Sequence, residues 1–180
     1  MAHAMTCGGA ASEPRPCRVT PRSTTGWRGR YSLERNVRTD AMRFRGKLER
    51  DGKYWLAEVP VFDAMTQGRT RAEALDMIAD WFASMAGRPQ LAVRVVNVHG
   101  ADFEVAVLDT RPMISLLLRR QRQKSGLSLA AVAERLGARS RNAYARYEQG
   151  TTAPTVEKLA ELLHAIAPDR EILVDLGKAA

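Results

Sequence analysis

Between Leu118 and Pro168 glycine and proline cut the chain into short segments, each with apolar groups at helical spacing. That rhythm leaves room for little but a cluster of short helices. Gly126-Leu127-Ser128 leads into a run from Leu129 to Leu136, whose Leu129, Val132, Ala133 and Leu136 share one helical face with Ser128 at the N-cap. Gly137 then supplies a tight turn. The next segment, Ser140 to Gln149, interleaves the packing groups Ala143, Tyr144, Ala145 and Tyr147 with polar side chains. After Gly150 and the break from Thr151 to Pro154, Thr155 caps a further helix with Val156, Leu159, Leu162, Leu163 and Ile166 on one side.

Three helical segments around a sharp turn make a helix-turn-helix unit, in which the second helix enters the major groove. Arginine pairs with guanine there and asparagine with adenine. Arg139, Ser140, Arg141, Asn142 and Arg146 of the turn and second helix, with Ser128 at the start of the first, are therefore the candidate DNA-binding residues. Arg119, Arg120, Arg122 and Lys124, just upstream, are candidates for phosphate contact, with a solvated helix face as the plainer reading. Tyr144 and Tyr147 read as core or groove-wall residues rather than platforms for base stacking. The segment resembles the Xre-like, lambda-repressor-like helix-turn-helix family. The resemblance rests on Gly126-Leu127-Ser128, on Val132-Ala133-Glu134-Arg135-Leu136-Gly137, and on Tyr147-Glu148-Gln149-Gly150 followed by Pro154 and Leu159. The stretch between Gly137 and Glu148 is one residue longer than is usual in that family, so which of Arg139, Ser140, Arg141 and Asn142 reaches the bases stays open.

Charge divides the chain into three parts. Residues 1–41 hold seven Lys/Arg against three Asp/Glu, residues 42–110 nine against ten, and residues 111–180 twelve against seven. The positive excess thus falls on the N-terminal tail and on the helix-turn-helix part, and the latter is the electrostatic footprint of a nucleic-acid binder. No apolar run approaches the roughly 20 residues that span a bilayer, which leads to the expectation of a cytoplasmic, nucleoid-associated protein without membrane contact. Both cysteines, Cys7 and Cys17, lie in the tail, where no disulfide framework for the folded parts is possible. His3, Cys7 and Cys17 match no common zinc spacing, and His99 and His164 read as a turn residue and a helix-surface residue. No metal and no other cofactor is expected. Residues 1–41 are rich in Gly, Pro, Ser, Thr and Arg without a sustained apolar period, and are expected to be disordered. A domain pattern that opens abruptly at Met42 favours translation beginning there, with a basic DNA-binding arm as the alternative.

From Met42 onward the period changes to two. Met42, Phe44, Gly46 and Leu48 alternate with Arg43, Arg45, Lys47 and Glu49, as in a strand with one wet face. Asp51-Gly52 signals a hairpin, Tyr54 to Val59 the returning strand, and Ala64 to Thr66 a short third strand before Gly68. Thr70 and Glu73 form a capping box that opens a helix striped with Ala74, Ile78, Trp81, Phe82 and Met85 and stopped by Gly87 and Pro89. Leu91 to Val98 and Phe103 to Leu108 complete the strands. The fold class expected is α+β, with a small sheet-plus-helix domain at 42–110 followed by an all-α helix-turn-helix domain at 111–180. The first of these resembles the HicB antitoxin domain on Asp51-Gly52, on Tyr54-Trp55-Leu56-Ala57-Glu58-Val59-Pro60, and on Thr66-Gln67-Gly68 with Thr70, Glu73, Ala74 and Leu75. Val61-Phe62-Asp63-Ala64-Met65 replaces the family's usual Gly-Cys segment. The resemblance implies a partial ribonuclease-H-like fold that commonly precedes a DNA-binding domain.

The function implied is that of a HicAB-type antitoxin. Residues 42–110 would bind and neutralise a small HicA-like, RNA-cleaving toxin, and the helix-turn-helix would bind double-stranded operator DNA as a homodimer or higher oligomer. The alternative is a stand-alone repressor whose middle domain senses a small molecule. A nuclease needs carboxylates that converge on metal ions, and Glu49, Asp51, Glu58 and Asp63 carry no sign of clustering, so the protein is not expected to be an enzyme. The run Glu171 to Leu176 is open to two readings, a strand that pairs with its copy in a second subunit or a segment folded back on its own domain.

Overall fold

A computed structural model of the chain describes residues 42–170 and Leu173. The expectations for the basic tail, Cys7, Cys17 and the Glu171 to Leu176 strand lie outside the described residues, apart from Leu173, which is exposed.

The elements begin with β1 (Met42–Asp51) and β2 (Tyr54–Val59), a single turn of 3-10 helix at Pro60–Phe62, and β3 (Ala64–Gly68). Helix α1 (Arg71–Met85), β4 (Val93–His99) and β5 (Asp102–Val107) follow, and α2 (Thr110–Lys124), α3 (Leu129–Arg135), α4 (Asn142–Glu148) and α5 (Val156–Ile166) close the described part. The strands form one antiparallel sheet in the order β3-β2-β1-β5-β4. β3 and β4 are consecutive in sequence but lie at opposite edges, so α1 carries the chain back across one face of the sheet.

The hairpin forms where Asp51-Gly52 marked it, with Asp51 paired to Tyr54 and Gly52 in the left-handed region. Alternation along β1 holds as well, since Gly46 and Leu48 are buried while Arg45, Lys47 and Glu49 are exposed. Gly46 is there for space. It faces Phe103 across the β1–β5 ladder, and a Cβ at this position would sit 2.3 Å from the ring. Gly68 is similar, because a Cβ would lie 2.4 Å from the backbone nitrogen of Ala74, where β3 runs under the first turn of α1.

Thr70 Oγ1 accepts from the Glu73 backbone at 3.1 Å, as a capping box requires. The returning arm differs from the ideal, since the Glu73 carboxylate takes the Arg69 N–H at 2.7 Å rather than that of Thr70. The buried face of α1 is Ala74, Leu75, Ile78, Phe82 and Ala83. Leu75 and Ala83 are buried in addition to the stripe read from sequence, whereas Trp81 is half-buried and Met85 is exposed. β4 also departs from expectation. It starts at Val93 rather than Leu91, and Asn97 takes a positive φ at an irregularity between Val96 and His99, which breaks the simple alternation.

Two apolar clusters hold the molecule. The first joins one sheet face to α1 and is threaded by edge-to-face rings, Phe44 to Phe62, Phe62 to Phe82 and Phe82 to Trp81, with centroids 4.8, 4.9 and 5.0 Å apart. The second joins Leu118, Val132, Ala133, Tyr144, Tyr147, Leu162, Ile166 and Ala167. Helix α2 belongs to both, because Met113, Leu116 and Leu117 lie in the first cluster and Leu118 in the second. A division of the chain at residue 110 therefore falls at the start of a helix that both units share.

Candidate nucleic-acid interface

Ser128 caps α3 by accepting from the Ala131 N–H at 3.1 Å, and Val132 and Ala133 press that helix into the second cluster. Gly137, at φ +66°, ends it, with its own N–H bonded to Glu134 O and that of Ala138 to Ala133 O. The chain then crosses Ala138 to Arg141 and enters α4 at Asn142, two residues later than the sequence reading from Ser140. Ser140 stands just outside the helix, where its Oγ accepts from the Asn142 N–H at 3.2 Å.

Helix α4 is short and divided sharply by exposure. Tyr144, Ala145 and Tyr147 are buried, whereas Asn142 and Arg146 are exposed, as is Gln149 just past the C-terminus. Asn142, Arg146 and Gln149 follow at i, i+4 and i+7, so they form a single outward stripe. Gln149 is an addition to the sequence-derived set, and the same spacing was available to reveal it. Arg139, Ser140 and Arg141 are exposed at the approach to this stripe. Among the described residues the side chains of Arg139, Arg141 and Asn142 have no protein partner. Arg146 lies over the Tyr147 ring, 5.2 Å from its centroid, which restrains its guanidinium at the surface.

What holds α4 in place is a polar knot on its inner side. Arg122 Nε and Nη2 donate to the two carboxylate oxygens of Glu148 at 2.6 and 3.0 Å, and Nη1 donates to Leu127 O at 2.8 Å. The pair is largely enclosed, with side-chain exposures of 15% and 8%. The hydrogen bond to Glu148 holds the Arg122 pKa above its ordinary value against the opposing effect of burial. Tyr144 is fully buried with its hydroxyl directed at Leu118 O, and burial, reinforced by the Glu148 carboxylate, pushes its pKa far up. The knot fixes the roll of α4, and the roll decides which residues face outward.

Residues 114–172 match the family model described as a helix-turn-helix domain. This is a DNA-binding domain of the kind found in regulators of transcription. The match opens inside α2 and takes in α3, α4 and α5. A comparison with curated proteins finds no match.

The candidates in α2 stand differently from those at the turn. Arg119 donates to Met85 O, and Arg120 to Phe62 O at 2.9 Å and to Asp63 O and Oδ2 at 2.9 and 3.2 Å. Arg122 is engaged with Glu148, and Lys124 meets Asp63 at 3.4 Å. All four cations read as phosphate contacts thus have acceptors within the protein, and Arg119 and Arg122, offered as DNA-binding residues, serve to join elements. Arg139, Arg141 and Arg146 cluster at the start and outer face of α4, while Arg111, Arg135 and Arg170 are exposed elsewhere on this part of the chain. Arg135 donates to Ala165 O and Lys158 pairs with Glu161.

Elsewhere, Glu49, Asp51 and Asp63 are exposed and Glu58 is half-buried opposite Lys47. Among the described residues no three His, Cys, Asp or Glu side chains gather where a metal ion could be held. No helix among them is long and apolar enough to cross a membrane. A shallow groove of about 760 Å³ runs along the outer side of α1, between Thr66, Thr70, Met77, Trp81 and Ser84.

Proposed function

We propose that the chain is a DNA-binding antitoxin and autoregulator of the HicB kind, whose helix-turn-helix reads operator DNA and whose sheet unit captures a small RNA-cleaving toxin. The observation that carries the DNA-binding half is the outward set of Arg139, Arg141 and Asn142, which have no protein partner among the described residues, beside a stripe that continues through Arg146 and Gln149. An asparagine and arginines presented together in this way suit adenine and guanine edges in the major groove. Reading two half-sites requires a dimer, which is part of the proposal. The protein acts by binding, and no step in this reading calls for a cofactor or for catalysis by the dispersed carboxylates.

The toxin-binding half is supported by the resemblance of residues 42–86 to HicB domains and by the order of the two units. The interior between sheet and α1 is filled by Phe62, Ile78 and Phe82. The groove outside α1 is an open concavity, a form better suited to a protein partner than to an enclosed small molecule, and a second one of about 550 Å³ lies between Arg88, Leu91, Leu108 and Asp109. The test is co-expression of the full chain with the product of any small reading frame that adjoins its gene. Growth rescue and a co-purifying complex are expected. Specific DNA binding without either would leave a repressor and remove the toxin from the account.

A further inference from the structure

Helix α2 presents two different stripes. Ile114, Leu118 and Arg122 face the helix-turn-helix core, where Leu118 is buried and Arg122 holds Glu148 of α4. Met113, Leu116, Leu117, Arg120, Gln121 and Lys124 face the sheet unit. On this second side the contacts change character along the helix. The first half is apolar and sunk in the sheet core, while the second half is a polar clasp on the corner between β2 and β3. Arg120 takes Phe62 O, Asp63 O and the Asp63 carboxylate. Gln121, only 5% exposed, donates to Val61 O and accepts from Arg170 at 3.3 Å. The guanidinium of Arg120 also lies 5.6 Å from the centroid of Trp81 on α1, and Arg119 reaches Met85 O one turn further along.

We propose that the Arg120–Gln121 clasp is a conformational switch that sets the angle of the helix-turn-helix on the sheet unit and couples the C-terminal turn of α1 to α4. The DNA-related part of this inference rests on the function proposed above, but the coupling itself does not. With the clasp closed, the second half of α2 is fixed and α4 with it, through Arg122 and Glu148. With the clasp open, Met113, Leu116 and Leu117 still anchor the first half, so the helix-turn-helix pivots about that anchor rather than detaching. Three features suit the seam to opening. The groups that the second half of α2 brings to it are charged or amide and can be rehydrated, with Leu163 of α5 the apolar side chain that packs against both clusters beside them. Arg120, Lys124 and Asp63 are partly exposed, with side chains at 25%, 39% and 56%. Asp63 sits in the left-handed region at φ +52°, a conformation less favourable for Asp than for glycine, with its N–H bonded to Pro60 O at 3.1 Å. The input is Trp81, because its ring both lines the outer groove and carries Arg120. A group that shifts this ring acts directly on the clasp.

The experiment places a bulky maleimide fluorophore on Ser84→Cys, an exposed position in the groove, in the full chain with Cys7→Ser and Cys17→Ser, and measures amide hydrogen exchange. Labelling is expected to lower protection in α4 and the second half of α2 about tenfold, a typical allosteric coupling, while β1, β2 and β5 keep theirs. In an Arg120→Met background protection in α4 is expected to be low already and the label to have little further effect. Arg120→Lys, which keeps the charge but loses the fork, should fall between the two. An equal label effect with and without Arg120 would overturn the proposal, as would protection in α4 indifferent to both changes. A random-sequence duplex added to the same samples separates the two readings. If the unlabelled chain does not bind it, the DNA-binding function fails while the exchange result still judges the clasp.

Discussion

Arg122 looks from sequence like one of four equivalent cations in Arg119-Arg120-Gln121-Arg122-Gln123-Lys124, yet the fold gives it an acceptor of its own in Glu148, while Arg119 takes Met85 O and Arg120 and Lys124 share Asp63. Composition reveals charge but not what neutralises it, and the acceptors here, Met85 O, Phe62 O, Asp63 and Glu148, lie 26 to 61 residues away in sequence and come close only on folding. Replacing Arg122 with Ala leaves Glu148 enclosed without its partner and is expected to destabilise the helix-turn-helix by about 3 kcal/mol, measured by chemical denaturation. Tyr144 makes a second prediction at this scale. Its pKa is raised on folding above an unfolded value of about 10, so its contribution is fully present below about pH 10 and is lost progressively as the pH rises beyond that point. Stability should therefore fall steeply in the alkaline range, and Tyr144→Phe should flatten that fall. An unchanged alkaline slope in the variant would assign the loss to other groups.

At the scale of elements, legibility followed the number of wet faces. β1 has one, and its alternation was plain from Met42 to Glu49. The start of α1 was equally plain, since the Thr70 cap announces itself locally. β4 was blurred by the irregularity at Asn97, where a positive φ coincides with a shift of register against β5. Helix α2 was the least readable because Pro112, Met113, Ser115, Leu116, Leu117, Leu118 and Gln121 are all buried, on more than one side, so no single stripe stands out. For α4 the local pattern identified the helix and its buried tyrosines, but the entry point depended on how Ser140 and Arg141 close the turn. The tight pairing of Gly46 with Phe103 gives a prediction that belongs to the sheet. Gly46→Ala drives a methyl into the buried ring, and a loss of about 1 to 3 kcal/mol is expected in thermal or denaturant unfolding. A variant as stable as the parent would mean that the ring has room to move.

The whole molecule joins a five-stranded antiparallel sheet and a helix-turn-helix domain through one helix, and its charge distribution makes sense only at that scale. Arg119, Arg120, Arg122 and Lys124 of α2 stabilise the junction, and Arg139, Arg141 and Arg146 face outward around the start and outer face of α4. DNA affinity should therefore fall with added salt, and Arg139→Ala should reduce the slope of log affinity against log salt by roughly one unit if it meets a phosphate. Arg119→Ala should leave that slope as it was, because its guanidinium is turned to Met85 O. The reverse pattern, with Arg119 carrying the slope, would show that α2 swings onto the DNA.

The most direct test of the account is selection of duplexes from a random library by the full chain, repeated with Arg141→Ala and Asn142→Ala. The parent is expected to enrich a recurrent sequence of two related half-sites, and each variant to bind that sequence about 1 to 3 kcal/mol more weakly with relaxed preference at one position of each half-site. Enrichment of the same sequence by all three proteins at equal affinity would contradict the placement of the reading surface on α4.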